Sequence, residues 1–141
     1  MKRTLYLLPL LVLSMLLVTS CKKDDPEPEP PTPAEMLVGK WVIQSAEILG
    51  QVTPGNGSYL TFNACSDTEC TGVDYDASDL SSGTFTYELS EDALTVVITD
   101  TTADGGGYDG TWNILQLTET DFSVEGNTFL GTLKMDMTKE Q

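Results

Sequence analysis

From residue 40 to the end of the chain, apolar and polar side chains alternate with a period of two, and the alternation breaks where Gly, Asn, Asp or Ser gather. In a background rich in Thr, Val, Ile, Tyr and Phe, that pattern marks strands with one buried face. Strands are predicted over residues 40–49, 58–64, 71–75, 84–89, 93–99, 108–117, 121–124 and 128–137, eight in all, with a single helical turn at 34–38 ahead of the first. The connections Leu89-Ser90-Glu91-Asp92 and Glu125-Gly126-Asn127 are short enough for hairpins, and the one from Leu117 to Asp121 nearly so. Sequential strands are therefore expected to pair antiparallel. Alternation turns Trp41, Ile43, Leu60, Phe62, Ala64, Phe85, Tyr87, Leu89, Leu94, Val96, Ile98, Leu133, Met135 and Met137 inward. It turns Thr61, Asn63, Thr86, Glu88, Thr95, Lys134 and Asp136 outward. A consecutive sheet with one apolar face buries that face by curling shut, which also removes its edges. The expected fold is all-β, a small antiparallel up-and-down barrel of about eight strands. At that strand number the interior is either filled by side chains or holds one small ligand.

The first twenty-five residues follow another rule. A basic start at Lys2 and Arg3 leads into an apolar run from Leu5 to Val18, then into Thr19-Ser20-Cys21. The run is shorter than the ~20 residues that cross a bilayer and ends in small residues, so it is expected to be cleaved as a signal peptide. Val18-Thr19-Ser20-Cys21 resembles the lipobox of bacterial lipoproteins, which implies a Cys21 thiol joined to diacylglycerol and an amine acylated by a palmitate-type chain. Membrane attachment would then come from lipid alone. Two or more chains anchor stably where one holds only marginally. Residues 1–20 are thus read as the signal and 21–36 as the lipidated cysteine with its linker, which leaves 37–141 as the domain. The linker stretch Asp24-Asp25-Pro26-Glu27-Pro28-Glu29-Pro30-Pro31-Thr32-Pro33 is expected to be disordered and extended. At ~3.1 Å per residue it would hold the domain up to about 30 Å from the lipid. Lys22 after the cysteine resembles lipoproteins sent to the outer membrane, and Lys23-Asp24-Asp25 resembles an export signal of surface lipoproteins. The expected location is the cell outer membrane, either surface-exposed or on the periplasmic face.

Charge narrows the partners. Loss of Lys2 and Arg3 with the signal takes the net charge from −15 to −17, which opposes binding to nucleic acid or to anionic lipid. With no histidine in the chain, Ser-His-Asp and Cys-His pairs and imidazole metal sites are excluded. No catalytic residues and no cofactor are assigned, and the chain is not expected to be an enzyme. Once Cys21 is lipidated, Cys65 and Cys70 form an even pair in a compartment where disulfides persist, and a bridge is expected. The weak metal candidates are the acidic loops: Asp74, Asp76 and Asp79, or Asp100, Asp104 and Asp109, with the hard oxygens that calcium takes. As an EF-hand loop, residues 74–85 fail, with Asp79 in the glycine position and Phe85 in the glutamate position.

Leu37-Val38-Gly39-Lys40-Trp41 resembles the Gly-x-Trp opening of the lipocalin fold, and in particular the lipocalin-like domains of Gram-negative lipoproteins, where it follows the lipid tether. The later segments Tyr59-Leu60-Thr61-Phe62, Gly83-Thr84-Phe85-Thr86-Tyr87 and Trp112-Asn113-Ile114-Leu115 run in the family's order. The resemblance implies that Gly39 and Trp41 close the barrel floor against a basic residue near the last strand, either Lys134 or Lys139. It further implies binding or carriage of a small apolar molecule, with Phe62, Phe85, Tyr87, Trp112, Ile114 and Met135 as candidate lining residues. The competing reading is a filled barrel that engages a protein or a glycan through its outer surface.

Overall fold

Thr32 caps a short helix, because its side chain accepts from the Glu35 amide while the Glu35 carboxylate accepts from the Thr32 amide at 2.7 Å. Pro33 at the first helical position costs no internal hydrogen bond, so the expected helical turn is present as α1, Pro33–Leu37. The computed structural model describes residues 29–66, 69–102 and 107–141. The expectations for residues 1–28, including Cys21, lie outside these, as does Asp104.

Among the described residues nine strands follow: β1 Gly39–Ile48, β2 Gln51–Pro54, β3 Tyr59–Phe62, β4 Thr71–Asp76, β5 Ser81–Leu89, β6 Thr95–Asp100, β7 Gly110–Leu117, β8 Asp121–Thr128 and β9 Gly131–Lys139. All pairings are antiparallel, and β1 pairs with β9, with Trp41 opposite Lys139 and Ile48 opposite Leu133. Eight strands, β1 and β3 to β9, thereby form a closed barrel, and β2 is an addition to it. The up-and-down order puts the connections 49–50, 55–58, 77–80 and 129–130, and the described parts 101–102 and 107–109 of the β6–β7 connection, at one end, called here the open end. The helix α1, residues 63–66 and 69–70 and the remaining turns lie at the other, closed end.

Five expectations change. Thr32 and Pro33, expected in the disordered, extended linker, form the cap and the first residue of α1, because the Thr32–Glu35 capping box closes the turn. The ninth strand, β2, pairs only with the upper half of β1, Ser45 opposite Pro54 to Ile48 opposite Gln51. All four of its residues are exposed, so no alternation marks it. β8 runs to Thr128, and the turn is Phe129-Leu130 rather than Glu125-Gly126-Asn127. Those three residues are paired in the ladder, Gly126 with Trp112 on one side and Leu133 on the other. Ala64 and Leu94 lie outside, because both have left the ladder for connections, where alternation no longer fixes direction.

The rest of the inward set does face in, and Leu37, Tyr108, Trp112, Phe122 and Val124, which that set did not include, join it in the core. Trp41, Leu60, Phe62, Phe85, Val96, Phe122, Met135 and Met137 are buried, and Ile43, Tyr87 and Ile98 nearly so. Each large side chain taken fully from water contributes ~1.5–3 kcal/mol. Phe62 is the hub, with ring centroids 5.4 Å from Phe85, 5.0 Å from Tyr87 and 6.0 Å from Phe122, all edge-on. Such edge-to-face geometry suits the ring quadrupoles and fills the lower interior.

Candidate functional site

The closed end is built on Gly39-Lys40-Trp41. Gly39 has φ +130°, and a Cβ there would lie 2.6 Å from Cε of Lys139, so only glycine fits. The Trp41 indole donates to the Leu37 carbonyl at 2.6 Å, and its ring stands 5.3 Å from Phe122. Lys139 lies over that ring, its Nζ 5.0 Å from the centroid, and donates to the Met36 carbonyl at 2.8 Å. Of the two lysines considered, Lys139 is therefore the one that covers the tryptophan. Lys134 instead lies 3.4 Å from Asp136 on the barrel wall.

The same motif recurs at the open end. Gly110-Thr111-Trp112 opens β7 as Gly39-Lys40-Trp41 opens β1, with φ +134° at Gly110. The Trp112 indole likewise donates to the residue four before it, the Tyr108 carbonyl, at 2.7 Å. Trp112 lies against Gly126, where a Cβ would come 2.7 Å from Cε3 of the indole. β1 and β7 start at opposite ends, so the two tryptophans plug opposite ends of one barrel. Their surroundings differ. Trp41 has α1 beneath it and Lys139 above it, whereas Trp112 borders a solvent-open cleft of about 390 Å³. Ile48, Leu133, Phe129 and Leu130 supply the apolar walls of that cleft, with Asp109, Thr111, Asn127 and Thr128 among its polar groups. This combination, mostly apolar walls with a few polar groups, is what fixes and orients a small molecule, and the volume falls in the usual range.

Beside the cleft, Tyr108 is buried, and its hydroxyl is pushed up to about 12 by burial and then by the carboxylates of Asp76 and Asp74. It therefore stays protonated at any physiological pH. Asp100 is raised above the usual carboxylate range, chiefly by burial and then by the charges of Asp74 and Asp109. Asp76 is held below that range by the hydroxyl and amide of Ser78, and Asp79 accepts from the Ser81 amide at 2.9 Å. Asp74 is fully buried in the interior beside Gly83. Among the described residues, no three acidic or cysteine side chains come together as a metal site. Asp76, Asp79 and Asp109 act instead as turn and backbone acceptors.

The six lining candidates separate. Phe62, Phe85 and Tyr87 belong to the interlocked rings of the lower interior, Met135 is buried in the same core, and Ile114 is half-buried at its margin. Trp112 borders the open cleft. Ile48, Phe129, Leu130 and Leu133 were not chosen from sequence as lining, because 128–137 read as one strand and hid the turn. The repeated Gly-x-Trp at 110–112 was the signal that marks this end. Cys65 and Cys70 are bridged, closing the loop beside Tyr87. A larger groove of about 530 Å³ runs along the outer wall next to this bridge, lined by Ser66, Glu69, Thr86, Glu88, Thr99 and Val97 among others. Its hydroxyls and carboxylates share the lining with Cys70, Tyr87 and Val97.

A family model described as a lipocalin-like domain matches residues 37–124. The match begins at the residue whose carbonyl holds Trp41 and covers most of the barrel, while β9, which completes the ring, lies beyond it. A comparison with curated proteins finds no match.

Proposed function

The chain belongs to the lipocalin-like domain family, and from that premise we propose that it is a lipid-anchored, non-catalytic binding protein of the outer membrane. The proposed attachment is acylated Cys21, joined to the barrel by the acidic proline-rich linker. The proposed ligand is a small apolar molecule seated in the open-end cleft beside Trp112. One observation carries this reading: of two matching Gly-x-Trp plugs, one is sealed by a helix and a lysine, and the other stands beside a cleft with apolar walls. Packed rings, Phe62 with Phe85 and Phe122 among them, occupy the lower interior, so the ligand sits at the mouth against Trp112. Burial of ligand surface at ~25 cal/mol per Å² drives binding, and Asp109 and Asn127 set orientation.

The test is native mass spectrometry of the chain purified from its own host, followed by extraction of what is bound. The expected result is a stoichiometric apolar molecule that is lost in Trp112→Ala. A clean apo mass, with no apolar compound raising the melting temperature, would reject the carrier reading. It would favour the filled barrel acting on a protein or glycan through the outer-wall groove. Mass spectrometry of the chain extracted from its host's membranes tests the anchor, and a Cys21 without acyl chains would refute it.

A further inference from the structure

Turns at the open end carry side chains that turn chemistry does not call for. In the β1–β2 turn, Leu49 and Gly50 are the two central residues, both at positive φ, +51° and +77°. Such a turn favours Asn-Gly, yet Leu49 is there and is 79% exposed. In the β4–β5 connection, Leu80 has φ +61° and is 75% exposed. Bulky non-glycine residues rarely take this conformation. In the β8–β9 turn, Phe129 is 95% exposed, with Leu130 beside it. Three separate connections at one end thus present large apolar groups to solvent, two of them in a conformation that a smaller or polar residue adopts more easily.

What they meet follows from arrangement and charge. Leu49 and the Phe129-Leu130 turn are neighbours, since Leu49 Cδ2 lies 3.1 Å from where a Cβ of Gly131 would be. Leu80 belongs to strands on another part of the ring, β4 and β5, with the polar connections 55–58 and 101–102 between. Two small apolar points, Leu49 with Phe129-Leu130 and Leu80 alone, separated by polar loops, do not form the contiguous patch that a protein interface buries. They do fit a fluid interface that closes around each side chain. None of the open-end connections contains Lys or Arg, and Asp76, Asp79, Asp100 and Asp109 lie at this end. Anionic lipid would be repelled, and a second acidic rim likewise.

We propose that the open end docks onto a zwitterionic lipid surface through Leu49, Leu80, Phe129 and Leu130. The docking requires no ligand in the cleft, so it stands or falls separately from the carrier reading. The rim dips its tips among the head groups, and the cleft beside Trp112 then opens onto the lipid.

The test uses residues 21–141 with Cys21→Ser, which removes the proposed acyl attachment and keeps the whole core, Leu37 to Met137. Flotation with phosphatidylcholine vesicles is the assay. Phe129→Asp with Leu130→Asp is expected to cut partitioning at least about tenfold, the effect of withdrawing one large apolar side chain from lipid. Leu49→Asn, which suits its turn and leaves the fold intact, should also weaken it. Leu94→Asp, about as exposed as Leu130 but at the closed end, should not. Replacing part of the lipid with phosphatidylglycerol should reduce binding. Failure of the parent chain to float would overturn the proposal, as would rim variants that float like the parent or binding that rises with anionic lipid. Rising binding with a basic protein alone would point instead to a protein partner and count against it.

Discussion

Lys139 is expected to hold the closed end together, and Lys139→Met isolates its charge because the replacement keeps an apolar stem of similar reach. Two interactions disappear in this variant. The first is the 2.8 Å hydrogen bond from the ammonium to the Met36 carbonyl, and bonds to charged groups contribute ~1.5–3 kcal/mol. The second is the cation held 5.0 Å above the Trp41 ring, where ~0.5–1 kcal/mol applies at a partly exposed site. Lys139 is only partly buried, so the lower ends apply, and the combined loss is about 2 kcal/mol. For a folded unit of roughly 105 residues, that lowers the melting temperature by about 9 °C. Urea unfolding followed by tryptophan fluorescence measures it, with the midpoint moving and the slope unchanged. Because the group lies against a ring and a carbonyl rather than in open water, most of the loss should persist in about 1 M salt. Lys134→Met, at the wall pair with Asp136, should cost less than about 1 kcal/mol. A Lys139→Met loss below about 0.5 kcal/mol, or one equal to that of Lys134→Met, would refute the role assigned to this lysine.

The remaining expectations concern the open end and the bridge. Asp100→Asn should stabilise the protein increasingly as pH rises above about 3.9. A carboxyl whose folded pKa is raised holds its proton longer when folded, so its ionisation drains stability between the unfolded and folded values. Melting curves from pH 3 to pH 8 would show the difference growing and then levelling, and a constant difference would contradict it. Leu49→Asn should raise stability by about 1 kcal/mol by relieving the left-handed leucine, measurable by urea unfolding, and a loss instead would show that Leu49 packs as well as protrudes. Breaking the Cys65–Cys70 bridge by double Ser replacement should cost about 2 kcal/mol, the loop-entropy value for so short a ring. The far side of the barrel should be unaffected, read as unchanged amide exchange in β7 and β8.

Alternation alone determined much of this protein: the strand class, the antiparallel order, most of the core from Trp41 to Met137 and the closure of the sheet, though not the inward places of Tyr108, Phe122 and Val124. Those features are local, because a half-buried strand must alternate and a short connection must return the chain beside itself. The Cys65–Cys70 pairing was equally legible, since reading Cys21 as the lipidated residue leaves two cysteines. β2 was not legible, because a strand exposed on every residue carries no periodicity and exists only through its pairing with β1. Nor was the Phe129-Leu130 turn, since two apolar residues between Thr128 and Gly131 look like more strand until the register with β8 places them at the tip. The choice of Lys139 over Lys134 needed the β1–β9 pairing, which joins residues almost a hundred positions apart and sets which lysine faces the indole. The difference between the two Gly-x-Trp motifs is also tertiary. Both close a barrel end by the same backbone geometry, and only what the rest of the chain stacks over each decides which end is sealed and which stays open.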